Sequence, residues 1–470
     1  MKFISTNTSS ATVQVFAVLE KDLETLQNKL DFQLPSDKTF DGSKDSLHWL
    51  ESSGKQIALL GLGDGNSPKT ILNSFRRILS KNGKKIEDAT AIQFIGELSE
   101  FQLTQALVGF KLGAYHADFY KKERKNSFEE LSVQVNVSET IISKASKIAD
   151  AMKEAMRLVD LPPSVKTPEY LAKWALSKSK ELGFKAQIID EKQAKKEGLE
   201  AFLAVGQGSS KASQFIIMEH RPSNPKFHLG LVGKGVTFDT GGLNIKTQGM
   251  HHMKSDMGGA AAVLGTMQLI ADLELPIHLT AIVPAVENAV SAEAFLPSEV
   301  ISSHAGLSIE VIDTDAEGRL ILADGLSYLV KKYNPDHVID LATLTGSSVG
   351  TFGYECGALF SNNDQLAQDL QTAGSGCSER VWPLPVWEEY GKEMDSDIAD
   401  IKNYHGKPIA GAITAAKFLQ AFTHEHPSWA HLDIAGVAFG DSEFSKSKTG
   451  TAFGVQLLLN FIENQLNHVD

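Results

Sequence analysis

The stretch Asp313-Thr314-Asp315-Ala316-Glu317-Gly318-Arg319-Leu320 runs directly into Leu322, Leu326, Leu329, Val330 and Tyr333 at helical spacing, and then into the strand-like run Val338-Ile339-Asp340-Leu341. A charged loop, a helix and a buried strand in that order form one repeat of an alternating α/β fold. The octet itself crowds three carboxylates and one guanidinium together. In an extended backbone Asp315, Glu317 and Arg319 share a face, whereas on a helix Asp315 and Glu317 lie on nearly opposite sides. The extended reading therefore predicts a site, because two carboxylates forced together raise one another's pKa or bind a hard cation. A solvated acidic loop is the alternative.

Outward from this stretch the same rhythm recurs. Residues 215–218 and 229–232 read as strands, 258–273 as a helix and 279–284 as a strand. The fold class is α/β: a mostly parallel or mixed sheet flanked by helices, with ligands expected in the loops that follow strands. Toward the N-terminus, apolar runs at 13–18, 57–62 and 91–95 and a basic helical stretch at 71–79 predict a smaller α/β domain. Between the two, Ile141, Ile142, Ile148, Met152 and Met156 mark a connecting helix over 138–158. Leu161-Pro162-Pro163-Ser164 breaks it and Thr167-Pro168-Glu169 caps the next. The expected division is 1–138 for the N-terminal α/β domain, 139–164 for the connecting helix and linker, and 165–470 for the domain with the charged clusters.

With 470 residues there is room for two or three cores. Hydrophobic content of 42% and 22% charged residues place the chain among globular proteins, and no apolar run approaches the roughly 18 residues of a membrane span. The start, Met1 to Asn7, turns polar too early for an export signal. Cys356 and Cys377 are too few for a disulfide framework, so the expected location is cytoplasmic. A net charge of −13 opposes general nucleic-acid or acidic-membrane binding.

A second cluster follows the run at 229–232: Gly233-Lys234-Gly235-Val236-Thr237-Phe238-Asp239-Thr240-Gly241-Gly242-Leu243-Asn244-Ile245-Lys246, then Asp256. The glycines let the backbone pass close to something and aim neighbouring side chains inward. A phosphate cradle is the rival, but GxxxxGK[ST] is absent; Gly61-Leu62-Gly63-Asp64-Gly65 likewise misplaces the third glycine of a dinucleotide loop. Asp256, just ahead of Met257-Gly258-Gly259, reads as a helix N-cap or as a site residue. Lys234 reads most simply as a salt-bridge partner of Asp239.

Taken together, GKGVTFDTGGLNIK, MKSDMGGAA, DTDAEGRL, DLATLTG (340–346), DIADIKN (397–403), GAITAAKFL (411–419) and WAHLDIAG (429–436) resemble the leucyl aminopeptidase family of dinuclear metallo-exopeptidases, over roughly residues 160–470. The resemblance implies that Lys234, Asp239, Asp256, Asp315 and Glu317 hold two divalent metal ions per subunit, Mn²⁺ or Zn²⁺, with Asp239 and Glu317 bridging. Oxygen-rich coordination suits such ions, and four carboxylates balance two of them. Lys234 would then bind as a neutral amine. A water shared by the metals becomes the nucleophile in such a site, while one metal anchors the substrate α-amine. Lys246 and Arg319 match catalytic positions suited to a developing oxyanion, and the resemblance places a bicarbonate at Arg319. Met253, Thr343, Leu344, Gly346 and Ala435 match the pocket for an apolar, leucine-like N-terminal residue; core packing is their plainer reading. His251 and His252 are surplus to the pattern. Asp313 departs from it, standing where the family usually has Asn.

The expected activity is therefore release of N-terminal residues from short peptides by a homohexamer in the cytoplasm, with a DNA-binding or regulatory member as the alternative and an inactive scaffold as a third possibility. Glu317→Ala is expected to abolish turnover while leaving the fold intact.

Overall fold

The computed structural model describes residues 1–6, 11–34, 40–123 and 128–469. Two compact units divide the chain: Met1–Lys153 with Ser442–Lys446, and Glu154–Asp441 with Ser447–Asp470.

The first unit is built on a six-stranded sheet in the order Lys2–Ser5, Ser132–Val135, Thr90–Ile95, Val13–Val18, Lys55–Gly61, Leu47–Ser52. All neighbours are parallel except the last pair. Every residue of Val13–Val18 is buried, as expected of a central parallel strand covered on both faces. Helix Pro68–Asn82 starts with Ser67 accepting from the Thr70 amide and Pro68 at its first position; helix Glu100–Leu112 starts with a capping box between Ser99 and Gln102. Gly61, at the end of its strand, is packed closely on its own chain, since a Cβ there would meet the Ser43 carbonyl at 2.3 Å.

The second unit carries a mixed sheet. Its strands run in the order Val381–Pro383, Gly357–Ser361, Trp429–Asp433, His337–Ala342, His228–Gly233, His278–Asn288, Gln214–His220, Lys185–Ile189. The central four, from Trp429–Asp433 to His278–Asn288, are mutually parallel. Helices Gly258–Asp272 and Gly318–Tyr333 are buried almost throughout, which fits the apolar periodicity that marks them in the sequence. Among the described residues, no helix is long and apolar enough to cross a membrane. Cys356 and Cys377 are both free thiols.

Two local irregularities aim side chains at one place. Strand Gly235–Asp239 continues the parallel pairing of His228–Gly233 with the long strand His278–Asn288. At the junction the Lys234 amide donates instead to the Leu341 carbonyl at 3.0 Å, and its carbonyl accepts from Ala260. A register shift between Val236 and Asp239 then turns Asp239 at the strand's end. The sequence octet is not extended, contrary to expectation. The Asp313 carboxylate accepts from the Asp315 amide at 2.8 Å and the Asp313 carbonyl from Ala316 at 3.2 Å, which closes a turn. Glu317 already has helical dihedrals (φ −74°, ψ −36°), and the helix begins at Gly318. Short polar side chains bonding to nearby amides commonly replace an extended run in this way.

Candidate active site

The loops beyond the carboxyl ends of the parallel strands bring both charged clusters together, at the usual ligand position of an α/β sheet. Carboxylate oxygens of Asp239, Asp315 and Glu317 all lie within 4.8 Å of one another. Lys234 joins Asp256 to this group: its ammonium is 2.8 Å from Asp256 and 3.0 Å from Glu317, and it donates to the Thr343 carbonyl at 3.0 Å. Lys246 pairs with Asp239 at 2.8 Å and with Asp315. The simple pairing of Lys234 with Asp239 is thus not what forms; the strand junction turns Lys234 toward Asp256, and Lys246 takes Asp239. Nor does Asp256 cap the N-terminus of helix Gly258–Asp272. The residue preceding helix Gly258–Asp272 is Met257, without a side-chain cap, while the Asp256 carboxylate accepts from Lys234 and, at 2.9 Å, from the Thr343 hydroxyl.

Gly318 makes room for this arrangement. A Cβ there would stand 2.3 Å from Cε and 2.6 Å from Nζ of Lys234. Gly241, at φ +85°, has the left-handed conformation that an L side chain resists, and a Cβ there would meet the Asn244 carbonyl at 2.5 Å.

The charges are poorly balanced by protein alone. Burial, reinforced by Glu317 and Asp239, pushes the Asp315 carboxyl up to about 7. Burial also raises Asp256 and Glu317, each with the other acids adding to the shift. Burial would lower both lysines, but the surrounding carboxylates outweigh it and hold Lys234 and Lys246 above the ordinary lysine range. Four carboxylates therefore face two ammoniums, and Asp256, Asp315 and Glu317 move toward protonation. Among the described residues, Oε2 of the buried Glu317 has no hydrogen-bond partner, and Oε1 of Glu317 and Oδ2 of Asp256 contact Lys234 only as ion pairs without hydrogen-bond geometry. Buried oxygens left in this condition are expensive, and a divalent cation satisfies them. The donor set fits an oxygen-ligated metal.

Arg319, on the first turn of helix Gly318–Tyr333, is buried; its guanidinium donates to the Asn403 carbonyl at 2.6 Å, while Nε has no partner among the described residues. Burial pulls it down to about 10, against the upward pull of Glu317 and Asp313. The pocket candidates fall on three segments. Met253 is half-buried on the short helix Met250–Ser255, and Thr343, Leu344 and Gly346 follow strand His337–Ala342. Ala435 follows strand Trp429–Asp433. A Cβ at Gly346 would meet nothing within 4 Å, whereas Leu344 packs partly against the hydrophobic core. His251 and His252 lie ring to ring at 3.9 Å, His252 against Phe439, with no described hydrogen bond to the carboxylates.

Several residues that sequence reasoning did not single out hold the site in shape. Asp433 accepts from the amides of Leu344 and Ala435 and from the Thr345 hydroxyl, clamping two pocket segments together. Asn288 donates to Asp239 at 2.8 Å and to the Thr314 carbonyl. Asn403 accepts from Ile312 and donates to the Asp313 carbonyl. Asp433 and Asn403 lie within quoted motifs, WAHLDIAG and DIADIKN, which is the signal that could have flagged them.

Residues 153–459 match the family model described as the cytosol aminopeptidase family, catalytic domain. A probable cytosol aminopeptidase of Syntrophotalea carbinolica is 38% identical over 470 residues, covering 95% of this chain and 94% of that protein. Among solved structures, a tomato leucine aminopeptidase mutant superposes with a TM-score of 0.88 at 29% identity, covering 99% of this chain and 96% of the other. The bottromycin maturation enzyme BotP in complex with Mn superposes with a TM-score of 0.86 at 27% identity, covering 97% and 100%.

Proposed function

Because the chain belongs to the cytosol aminopeptidase family and is thus a metal-dependent aminopeptidase, we propose that it releases leucine-like N-terminal residues from short peptides at a centre of two divalent ions, Mn²⁺ or Zn²⁺. The observation that carries this reading is the convergence of the Asp239, Asp315 and Glu317 carboxylates within 4.8 Å, together with buried oxygens of Glu317 and Asp256 that lack hydrogen-bond partners among the described residues. Such ions supply Lewis acidity, which makes a water nucleophilic near neutral pH and polarises the scissile carbonyl. Asp239, Asp315 and Glu317, whose carboxylates converge, would hold the ions together with Asp256 and Lys234. Lys234, whose amine lies between Asp256 and Glu317, would serve in that set as a neutral amine.

Lys246, whose ammonium lies against Asp239 and Asp315, would donate to the oxyanion as the carbonyl becomes tetrahedral. The unpartnered Nε of Arg319 supports its holding a small anion such as bicarbonate beside the reacting bond. Met253, Thr343, Leu344, Gly346 and Ala435 would line the recess for the first side chain. Exposed Trp382, Trp387, Ile398 and Ile409 supply surface suited to subunit contacts in a cytoplasmic homohexamer. The net charge of −13 gives no support to DNA binding.

The test is hydrolysis of leucine and arginine p-nitroanilides by the purified chain after chelation, then after adding back Mn²⁺, Zn²⁺ or Co²⁺. Activity lost with chelator, restored by metal and greater on the leucine substrate is expected. Full activity in the chelated protein removes the metal from the mechanism.

A further inference from the structure

Lys166 lies in the link between helices Glu139–Asp160 and Pro168–Leu182, and it is completely buried. Its ammonium donates to the Val159 carbonyl at 3.1 Å and to the Lys254 carbonyl. Lys254 reciprocates, its own ammonium donating to the Asp160 carbonyl at 2.9 Å. Two lysines thus strap the C-terminal end of helix Glu139–Asp160 to the short helix Met250–Ser255. Cations at a helix C-terminus are favoured by the unsatisfied carbonyls there, so the helix end is a natural anchor. The acid side of the anchor is also tied, since the Asp160 carboxylate accepts from the Gly450 amide at 2.8 Å.

The strapped helix Met250–Ser255 ends on Asp256, whose amide bonds back to the Met253 carbonyl at 3.2 Å. Every other described contact of Asp256's side chain comes from groups that also serve the site, Lys234 and Thr343. The two straps therefore act on the segment that carries Asp256 and, three residues earlier, Met253. Burying an ammonium costs several kcal/mol in general, and an apolar side chain would fill the same space without that cost. Burial pushes the Lys166 ammonium down to about 7, opposed by Asp160 and Asp256, which records the same penalty. What the lysine supplies there, and an apolar side chain would not, is a donor to the Val159 and Lys254 carbonyls.

We propose that Lys166 is a positioning residue for the metal centre: by fixing the Lys254 carbonyl to the end of helix Glu139–Asp160, it sets the place from which Asp256 reaches the ions. This inference rests on the metal-centre reading above. Groups that orient ligands typically contribute 10- to 100-fold to metal affinity or rate.

The test is equilibrium Mn²⁺ binding to the chelator-stripped full chain, by calorimetry and by the spin-resonance signal of free Mn²⁺, for wild type and Lys166→Met. It is paired with thermal unfolding of the same metal-free samples and with kcat and KM at saturating Mn²⁺. Expected for Lys166→Met is an unfolding midpoint no lower than wild type, Mn²⁺ affinity at one site weakened about 10-fold or more, and kcat reduced with KM changed less than about twofold. A merely structural lysine would change the midpoint and leave affinity per folded molecule alone. If Lys166→Met does not fold, Lys254→Met removes the return strap and is expected to weaken Mn²⁺ binding in the same sense. Wild-type Mn²⁺ affinity in the folded variant overturns the inference while leaving the metal centre standing. Absence of Mn²⁺ binding in wild type itself overturns both.

Discussion

Gly318→Ala separates the geometry of the site from the stability of the fold. In a helix, alanine is favoured over glycine by about 1 kcal/mol, so the substitution at the first residue of helix Gly318–Tyr333 carries no intrinsic penalty to folding. The added methyl, however, falls 2.3 Å from Cε of Lys234, more than about 1 Å inside ordinary van der Waals contact. Lys234 cannot swing aside cheaply: it is buried, and its ammonium is held by Asp256, Glu317 and the Thr343 carbonyl. The methyl must therefore displace the lysine tip, and with it a proposed ligand, by about 1 Å. Misplacement on that scale costs on the order of 100-fold in rate. The assay is kcat on leucine p-nitroanilide at saturating Mn²⁺ beside the thermal unfolding midpoint of the metal-free protein. The expected result is about a 100-fold fall in kcat with a midpoint within a few degrees of wild type. Wild-type kcat in Gly318→Ala would refute the argument that Lys234 must occupy its present position.

Three further outcomes follow from the same geometry. Glu317→Ala removes the carboxylate with the least satisfied oxygens and is expected to lower turnover more than about 1,000-fold while circular dichroism stays native; full turnover would exclude Glu317 from the chemistry. Asp313→Asn withdraws a charge that acts on Arg319, and should raise kcat/KM several-fold on dipeptides with an acidic second residue relative to those with a basic one; an unchanged ratio would mean that Asp313 plays no part in selectivity. His228 is held down to about 4 by burial, with stacked His278 adding to the shift and Asp336 and Glu219 opposing it. Its folded pKa lies below the ordinary histidine value, so the unfolded chain binds the extra proton and stability is lost as pH falls from about 6.5 toward 4. His228→Asn should flatten the unfolding midpoint against pH across that window, and an unaltered slope would assign the acid sensitivity to other groups.

Much of the α/β framework was legible because each buried strand and helix writes its own period. The runs at 13–18, 229–232 and 338–341, and the periodic leucines after Leu320, all fall within strands or helices of the structure. Proline and threonine punctuation also carried through, with the Thr167 hydroxyl accepting from Tyr170 to start helix Pro168–Leu182. What local pattern could not supply was the partner across the fold. The octet at 313–320 reads as extended if its side chains are judged by alternation alone, but the Asp313 carboxylate finds the Asp315 amide and Asn403, some 90 residues on, braces the turn. Lys234 reads as a partner of Asp239 because they are near in sequence; the strand junction sends it to Asp256 instead. Lys166 carries no sequence signal of burial at all, being a lysine in a proline-rich link. Its place becomes apparent only when Lys254, 88 positions away, is folded against it.

The most direct measurement is an anomalous diffraction map from crystals soaked in Mn²⁺, collected near the manganese edge. Two peaks among Lys234, Asp239, Asp256, Asp315 and Glu317, both lost in Glu317→Ala crystals or reduced to one, are the predicted result. A map with no peak between these side chains, from crystals that hydrolyse leucine p-nitroanilide when redissolved, would contradict the account.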